Sequence, residues 1–284
     1  MSMNMTTSTS TTTHHDNIAF IGGGNMASAI MGGLIKRGVP ASSIQVVEPF
    51  EEQRTKLQAQ FGVDVRQAPG QHLASAALVV WAVKPQTFKN AALATCPHTT
   101  AALHLSVAAG ITSTSIAHWL GTDHVVRAMP NTPALIGKGM TALYARPAVT
   151  PAGREMVERV IQTTGESMWL DDEAQLDAVT ALSGSGPAYV FYFIEAMIEA
   201  GVAMGLTREQ AHQLAVSTFL GSSALAKASD EPIEILRSRV TSKGGTTYAA
   251  IMSMEQDNVK SQFIRAMMAA KRRAKEMGEE FGKA

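Results

Sequence analysis

The first half of the chain alternates short apolar runs with segments of helical periodicity. The apolar runs occupy residues 17–22, 44–49, 77–85, 102–110, 124–130 and 140–145. Between them, segments such as NMASAIMGGLIKRG repeat apolar residues every three or four positions and end at a glycine. This alternation predicts a mostly parallel β-sheet with helices on both faces.

The second half of the chain shows helical periodicity alone. Pro187 stands at the start of a long apolar segment, and Thr207 with Gln210 three residues later predicts a capping box for the next helix. The overall prediction is an α/β chain with a Rossmann-like domain followed by an all-α domain. Its boundaries are a disordered leader at 1–15, the sheet domain at 16–170 and the helical domain at 171–284.

Charge and composition narrow the classes of partner. The 284 residues carry 24 basic and 24 acidic side chains, so a basic footprint for nucleic acid is not expected. The most apolar segment contains Glu195 and Glu199, which argues against a membrane span. The single cysteine, Cys96, fits a reducing compartment, and we therefore predict a cytoplasmic protein.

A glycine-rich turn follows the first predicted strand, in the stretch FIGGGNMASAI. Gly22 and Gly24 occupy the first two positions of a G-x-G-x-x-G/A pattern, and Ala27 occupies the third. The first glycine permits the turn and the second lets a pyrophosphate approach the backbone. The helix that follows offers free N–H groups to that anion. The pattern therefore predicts a dinucleotide site.

Glu48 ends the second predicted strand, where a Rossmann domain contacts the adenosine ribose. A carboxylate there suits the free 2′-hydroxyl of NAD and repels the 2′-phosphate of NADP. The nearest arginine, Arg54, lies more than one helical turn further along the chain. On these residues alone NADH is favoured over NADPH. A solvent-facing carboxylate is the alternative interpretation.

No nucleophile or metal site is apparent in the sequence. No Ser–His–Asp order, Cys–His pair or cluster with metal-ligand spacing occurs, and the histidines are scattered. The stretch VTSKGGTTYAAIM, residues 240–252, places two glycines and two threonines before an apolar helical segment. Read alone, Thr246 is best explained as a helix cap.

Six stretches together resemble the pyrroline-5-carboxylate reductase family, in its order and spacing. They run from residue 17 to residue 277 and read FIGGGNMA, AVKP, VAAG, RAMPNTPA, SGSGPAYVF and VTSKGGTT. The resemblance implies an oxidoreductase of proline biosynthesis that transfers hydride from NADPH or NADH to 1-pyrroline-5-carboxylate. It also implies a homodimer through the helical domain, in some members assembled further into a ring, with the apolar helix of Pro187 to Met204 as an interface candidate.

The resemblance also assigns residues to the site. Thr246 and Thr247 would bind the substrate carboxylate through their backbone N–H groups, and the Thr247 hydroxyl would bond the imine nitrogen as the catalytic contact. The other substrate positions would be Ser242, Gly244, Gly245 and Glu173. The cofactor positions would be Ile21, Gly22, Gly24, Asn25, Met26, Glu48, Ala82, Val83, Lys84, Pro85, Val107, Ala108 and Ala109.

Two alternative functions stay open at this point. A hydroxyacid or imine dehydrogenase could share the two-domain plan, although many hydroxyacid enzymes place a catalytic lysine in the first long helix of the second domain. That helix has no lysine here. A dinucleotide-binding protein without catalysis is the other alternative, against which the intact SGSGPAY and GGTT stretches argue.

Overall fold

The computed structural model describes residues 16–282, and the leader predicted at 1–15 lies outside them. The chain divides into two compact units. Of the described residues, the N-terminal unit contains 16–173 and 278–282, and the helical unit comprises Ala174–Met277.

The N-terminal unit is built on one sheet of eight strands. The strands are β1 (Ile18–Ile21), β2 (Ile44–Val47), β3 (Asp64–Arg66), β4 (Leu78–Trp81), β5 (Leu103–Ser106), β6 (Val125–Met129), β7 (Gly139–Ala145) and β8 (Gly165–Trp169). Their order is β3-β2-β1-β4-β5-β6-β7-β8, and every neighbouring pair is parallel except β6 with β7. The predicted Rossmann-like, mostly parallel sheet is confirmed.

Apolar cores lie on both faces of this sheet. Ile18 and Phe20 of β1 belong to one buried cluster, and Ala19 and Ile21 belong to the other. Successive strand residues point to opposite faces, so an uninterrupted apolar run is what a strand covered on both sides requires. The covering helices of this unit are α1 (Asn25–Lys36), α2 (Glu51–Phe61), α3 (Pro85–Thr95), α4 (Ser113–Leu120) and α5 (Pro151–Ile161).

The second unit is helical throughout its described residues. Its helices are α6 (Gln175–Val179), α7 (Gly186–Ala203), α8 (Arg208–Ala228), α9 (Ile233–Arg239), α10 (Thr246–Gln256) and α11 (Val259–Gly282), the last of which ends in the N-terminal unit. A π-helical segment, Thr180–Gly184, joins α6 to α7. The predicted capping box is confirmed, since Thr207 and Gln210 exchange backbone and side-chain hydrogen bonds at the start of α8.

The helical unit buries little apolar surface within itself. Its one buried cluster consists of Ile198, Ala211 and Ala215. By contrast, Phe191 and Tyr192 of α7 are 59% and 69% exposed. Two neighbouring aromatic side chains with this degree of exposure are typical of a surface that another protein covers.

Two short strands were not predicted from the sequence. The edge strand β3 has three residues, of which one is buried, and the other edge strand β8 has partly buried and exposed residues in alternation. Across residues 16–282, no helix combines the length and apolar character that crossing a bilayer requires.

Candidate functional site

The predicted cofactor residues meet at one edge of the sheet. The chain reverses its direction of strand addition between β1 and β4, and ligands of open α/β sheets bind at the carboxyl ends of the strands beside such a point. The loops after β1, β2, β4 and β5 follow adjacent strands. Ala82 N donates to Ile21 O at 2.8 Å, and Val107 N donates to Trp81 O at 3.0 Å. The structure thus brings the predicted segments 21–26, 82–85 and 107–109 together.

The glycines of the first loop have different tasks. Gly22 has φ +95°, and a Cβ added there would lie 2.6 Å from Ala82 O, so only glycine fits this turn. Gly24 precedes α1, and a Cβ added there would meet no atom within 4 Å. The space at Gly24 is open to a ligand at the helix N-terminus, where the first-turn N–H groups have no intrahelical acceptor. The loop therefore fits a dinucleotide pyrophosphate.

Glu48 supports this loop. It is 6% exposed, and its Oε2 accepts a hydrogen bond from Gly23 N at 2.9 Å while Oε1 accepts one from Phe50 N at 3.0 Å. Gln53 lies in the first turn of α2, and its Nε2 donates a hydrogen bond to Gly23 O at 2.5 Å. Glu48 is therefore not a solvent-facing carboxylate. The contact of Gln53 was not predicted from the sequence, because it depends on where α2 lies.

Two basic side chains stand at the same edge. Lys84 is exposed and precedes α3, and its carbonyl oxygen accepts from Thr87 N at 3.0 Å. Arg54 of α2 reaches back along the chain, because its Nη1 donates to Glu48 O at 3.1 Å and to Pro49 O at 2.7 Å. Arg54 therefore lies beside the end of β2, although its separation from Glu48 along the chain did not predict this.

A buried polar pair lies beneath the loops in β4 and β5. Trp81 Nε1 donates to His104 Nδ1 at 3.1 Å, and both residues are almost fully buried. Burial lowers the pKa of His104 to about 4. The neutral imidazole is therefore a structural group of the core. Two residues beyond His104 in β5, Ser106 Oγ accepts a hydrogen bond from Ala108 N at 3.3 Å and so holds the predicted cofactor loop.

Glu173 lies at the end of the N-terminal unit and is bonded within it. Its Oε1 accepts from Arg127 Nη1 and from Ser113 N, both at 2.6 Å, and its Oε2 accepts from Ser113 Oγ at 2.6 Å. The carboxylate therefore binds the N-terminus of α4 to β6. These partners lie 46 and 60 residues away along the chain and were not predictable from the sequence.

The loop of residues 242–247 lies in the helical unit. Gly244 has φ +80°, and Gly245 N donates to Ser242 O at 3.0 Å, which closes a tight turn. The N-cap of α10 is Gly245, and it makes no side-chain cap hydrogen bond. Thr246 and Thr247 are instead the first two helical residues. The interpretation of Thr246 as the helix cap is therefore wrong. The N–H groups of the first turn have no acceptor within the helix and point out from its N-terminal end.

Metal ligands form no cluster in the described part of the chain. Across residues 16–282, no three His, Cys, Asp or Glu side chains are placed to hold an ion.

Comparison with known proteins decides the family. The sequence model described as pyrroline-5-carboxylate reductase dimerisation matches residues 173–277, and the model described as NADP oxidoreductase, coenzyme F420-dependent, matches residues 17–110. A pyrroline-5-carboxylate reductase of Pseudomonas aeruginosa is 46% identical over 93% of this chain and 98% of its own. The chain belongs to the pyrroline-5-carboxylate reductase family.

Solved structures of the family agree with this membership. The pyrroline-5-carboxylate reductase of Coxiella burnetii superposes with a TM-score of 0.86 at 38% identity, over 92% of this chain and 98% of the other. The Plasmodium falciparum enzyme, solved with NADP bound, gives 0.83 at 28% identity over 93% and 98%. An imine reductase of Streptomyces aurantiacus gives 0.55 at 17% identity and shows the fold alone.

Proposed function

We propose that this protein reduces 1-pyrroline-5-carboxylate to L-proline with NADPH or NADH, the last step of proline biosynthesis. The observation that carries the proposal is the 46% identity with a curated reductase along nearly the whole chain. The open edge at Gly24 and the loop of residues 242–247 supply the two kinds of site that such a reaction needs.

The dinucleotide would lie along the edge formed by the loops after β1, β2, β4 and β5. A bound reduced nicotinamide would supply the hydride, so the protein has to bind, orient and polarise the substrate. The residues assigned to the cofactor are Ile21, Gly22, Gly24, Asn25, Met26, Glu48, Ala82, Val83, Lys84, Pro85, Val107, Ala108 and Ala109. Their clustering at adjacent strand ends supports this assignment.

The substrate carboxylate would be held by the start of α10. The backbone N–H groups of Thr246 and Thr247 occupy the first turn, where a helix presents partial positive charge to an anion. Gly244 adopts a left-handed backbone conformation and has no side chain. No side chain at this position therefore covers the start of α10. Ser242 and Gly245 shape the same turn through their hydrogen bond.

The Thr247 hydroxyl would donate a hydrogen bond to the imine nitrogen. Such a bond draws electron density from the C=N carbon, which favours attack by hydride. Gly245 occupies the N-cap position of α10, so Thr247 lies inside the first turn and does not cap the helix. Glu173 belongs to the proposed substrate residues as well, although its described contacts are to Arg127 and Ser113.

The protein would act as a homodimer that self-associates through the helical unit. The match of the dimerisation model to residues 173–277 supports this, as do the exposed Phe191 and Tyr192 of α7. Further assembly into a ring and a cytoplasmic location, which the free thiol of Cys96 favours, complete the proposal.

The kinetic test uses three forms of the purified protein. With 1-pyrroline-5-carboxylate and either reduced nicotinamide dinucleotide, the wild type should consume the dinucleotide. Thr247→Ala should lower kcat by about tenfold or more, because one hydrogen bond to the reacting nitrogen is lost, while Thr247→Ser retains most of it. No turnover with either dinucleotide contradicts the proposed reaction. Unchanged kcat in Thr247→Ala contradicts the role of the hydroxyl alone.

A further inference from the structure

The surroundings of Glu48 bear on which dinucleotide the protein accepts. An acid at the end of β2 ordinarily disfavours NADP because its charge repels the 2′-phosphate. Here the side chain is buried, and each carboxylate oxygen accepts a backbone N–H group, from Gly23 and from Phe50. These bonds hold the carboxylate against the glycine loop on one side and the start of α2 on the other. Because a buried charge is screened less than an exposed one, a 2′-phosphate can bind beside Glu48 only if a positive charge lies at the same strand end.

Arg54 supplies a positive charge at the same strand end. Its guanidinium is anchored through Nη1 on the carbonyl oxygens of Glu48 and Pro49. Within residues 16–282 it forms no ion pair with a carboxylate, and its side chain is partly exposed. An arginine carries five N–H donors in a planar fork, so donors remain for a further anion after this anchoring.

The start of α2 adds a second source of positive potential. The helix has 11 residues, and its N-cap, Phe50, makes no side-chain hydrogen bond to the first turn. The first-turn N–H groups of an uncapped helix favour an anion. The acidic Glu51 and Glu52 of that turn are exposed, so water and salt screen their charge.

We propose that Arg54 recognises the 2′-phosphate of NADPH, so that the protein binds NADPH in spite of Glu48. Because two carbonyl oxygens already hold the guanidinium in place before the phosphate binds, less side-chain entropy is lost on binding. The proposal rests on the proposed function only in requiring a nicotinamide dinucleotide at this edge. It reverses the preference for NADH that the sequence alone favoured.

Direct binding without 1-pyrroline-5-carboxylate tests the proposal. NADPH and NADH are titrated into the full-length protein, and each dissociation constant is measured by calorimetry. Arg54→Ala should weaken NADPH binding by about tenfold or more, the effect of a charged hydrogen bond, and should leave NADH binding within about twofold. Arg54→Lys, which retains the charge but not the fork, should lose less.

Lys56→Ala is the matched control, because Lys56 is an exposed cation two residues along the same helix. It should change neither dissociation constant. Competition by 2′,5′-ADP and by 5′-AMP, which differ only in the 2′-phosphate, isolates the contribution of that phosphate. The preference for 2′,5′-ADP over 5′-AMP should fall in Arg54→Ala.

Equal losses for NADPH and NADH, or an unchanged affinity for NADPH, would overturn the role of Arg54. Failure of the wild type to bind NADPH would overturn it too. Turnover of 1-pyrroline-5-carboxylate with NADH would then still leave the proposed reaction intact, so the two failures are distinguishable.

Discussion

Arg127 and Glu173 form an ion pair in which Nη1 lies 2.6 Å from Oε1. The two side chains are 10% and 22% exposed, whereas the Arg66–Asp64 pair of β3 is about half exposed on both sides. The Arg127–Glu173 pair joins β6 to the residue at which the chain leaves the N-terminal unit for the helical unit. Its burial makes the loss of one partner far more damaging than the loss of a surface pair.

Glu173→Gln should therefore destabilise the protein. The free energy of unfolding should fall by about 3 kcal/mol, because Arg127 would keep a nearly buried charge without its counter-ion. Asp64→Asn is the control and should cost below about 1 kcal/mol. Urea unfolding at fixed protein concentration measures both. A variant of normal stability would contradict this role of the ion pair, and a raised KM for 1-pyrroline-5-carboxylate would support the proposed substrate contact of Glu173.

Two glycine substitutions should separate folding from cofactor binding. Gly22→Ala places a Cβ 2.6 Å from Ala82 O at φ +95° and should lower the unfolding free energy by about 3 kcal/mol. Gly24→Ala meets no protein atom, so its stability should stay within about 0.5 kcal/mol of the wild type. Its Cβ fills the space for the pyrophosphate, and the dissociation constant of NADPH should rise by about tenfold or more. Unfolding and calorimetry measure these effects. Wild-type affinity in Gly24→Ala would contradict the placement of the pyrophosphate.

Protonation of His104 should destabilise the fold in mild acid. Its pKa is about 4 in the folded protein and 6.5 as a free side chain, so the unfolded chain takes up the proton first. The stability associated with the neutral, buried His104 is fully present above pH 6.5 and is lost as the pH falls toward 4. The free energy of unfolding should fall by roughly 3 kcal/mol in total. Unfolding free energies across that range should fall less steeply in His104→Leu than in the wild type. The exposed His118→Gln should follow the wild type, and identical slopes in all three proteins would contradict the assignment.

The apolar surface of α7 should be required for self-association. Phe191 is 59% exposed in one chain, and a glutamate there would leave a charge buried against the partner. Phe191→Glu should raise the dimer dissociation constant by about a hundredfold or more, measured by sedimentation equilibrium. Leu93→Glu is the control, since Leu93 is 51% exposed on α3 of the N-terminal unit. A dimer of unchanged affinity in Phe191→Glu would place the interface elsewhere.

Periodic patterns in the sequence predicted the fold class but not its edges. The apolar runs that became β1 and β4 are buried on both faces, so their signal is strong. Strands β3 and β8 lie at the two sheet edges, where few residues are buried and the apolar pattern is weak. The capping box at Thr207 depends on residues three apart and was therefore predictable.

The candidate site was predictable where it is local in sequence. The glycines at 22 and 24 and the turn at Gly244 are recognisable, because a backbone requirement selects the residue type. The partners of Glu173 and the path of Arg54 back to the end of β2 depend on tertiary packing. No spacing along the chain encodes them. The preference for NADH inferred from Glu48 rests on residue type alone and stays a prediction, and the two hydrogen bonds that Glu48 accepts from backbone N–H groups were not predictable from the sequence.

The most direct test of the account follows one atom. The protein is incubated with 1-pyrroline-5-carboxylate and a reduced dinucleotide that carries deuterium at both hydrogen positions of the nicotinamide C4, and the product is examined by mass spectrometry and NMR. We expect L-proline with deuterium at the ring carbon that had been doubly bonded to nitrogen. Absence of labelled proline with both NADPH and NADH, from protein that is folded and binds the dinucleotide, would contradict it.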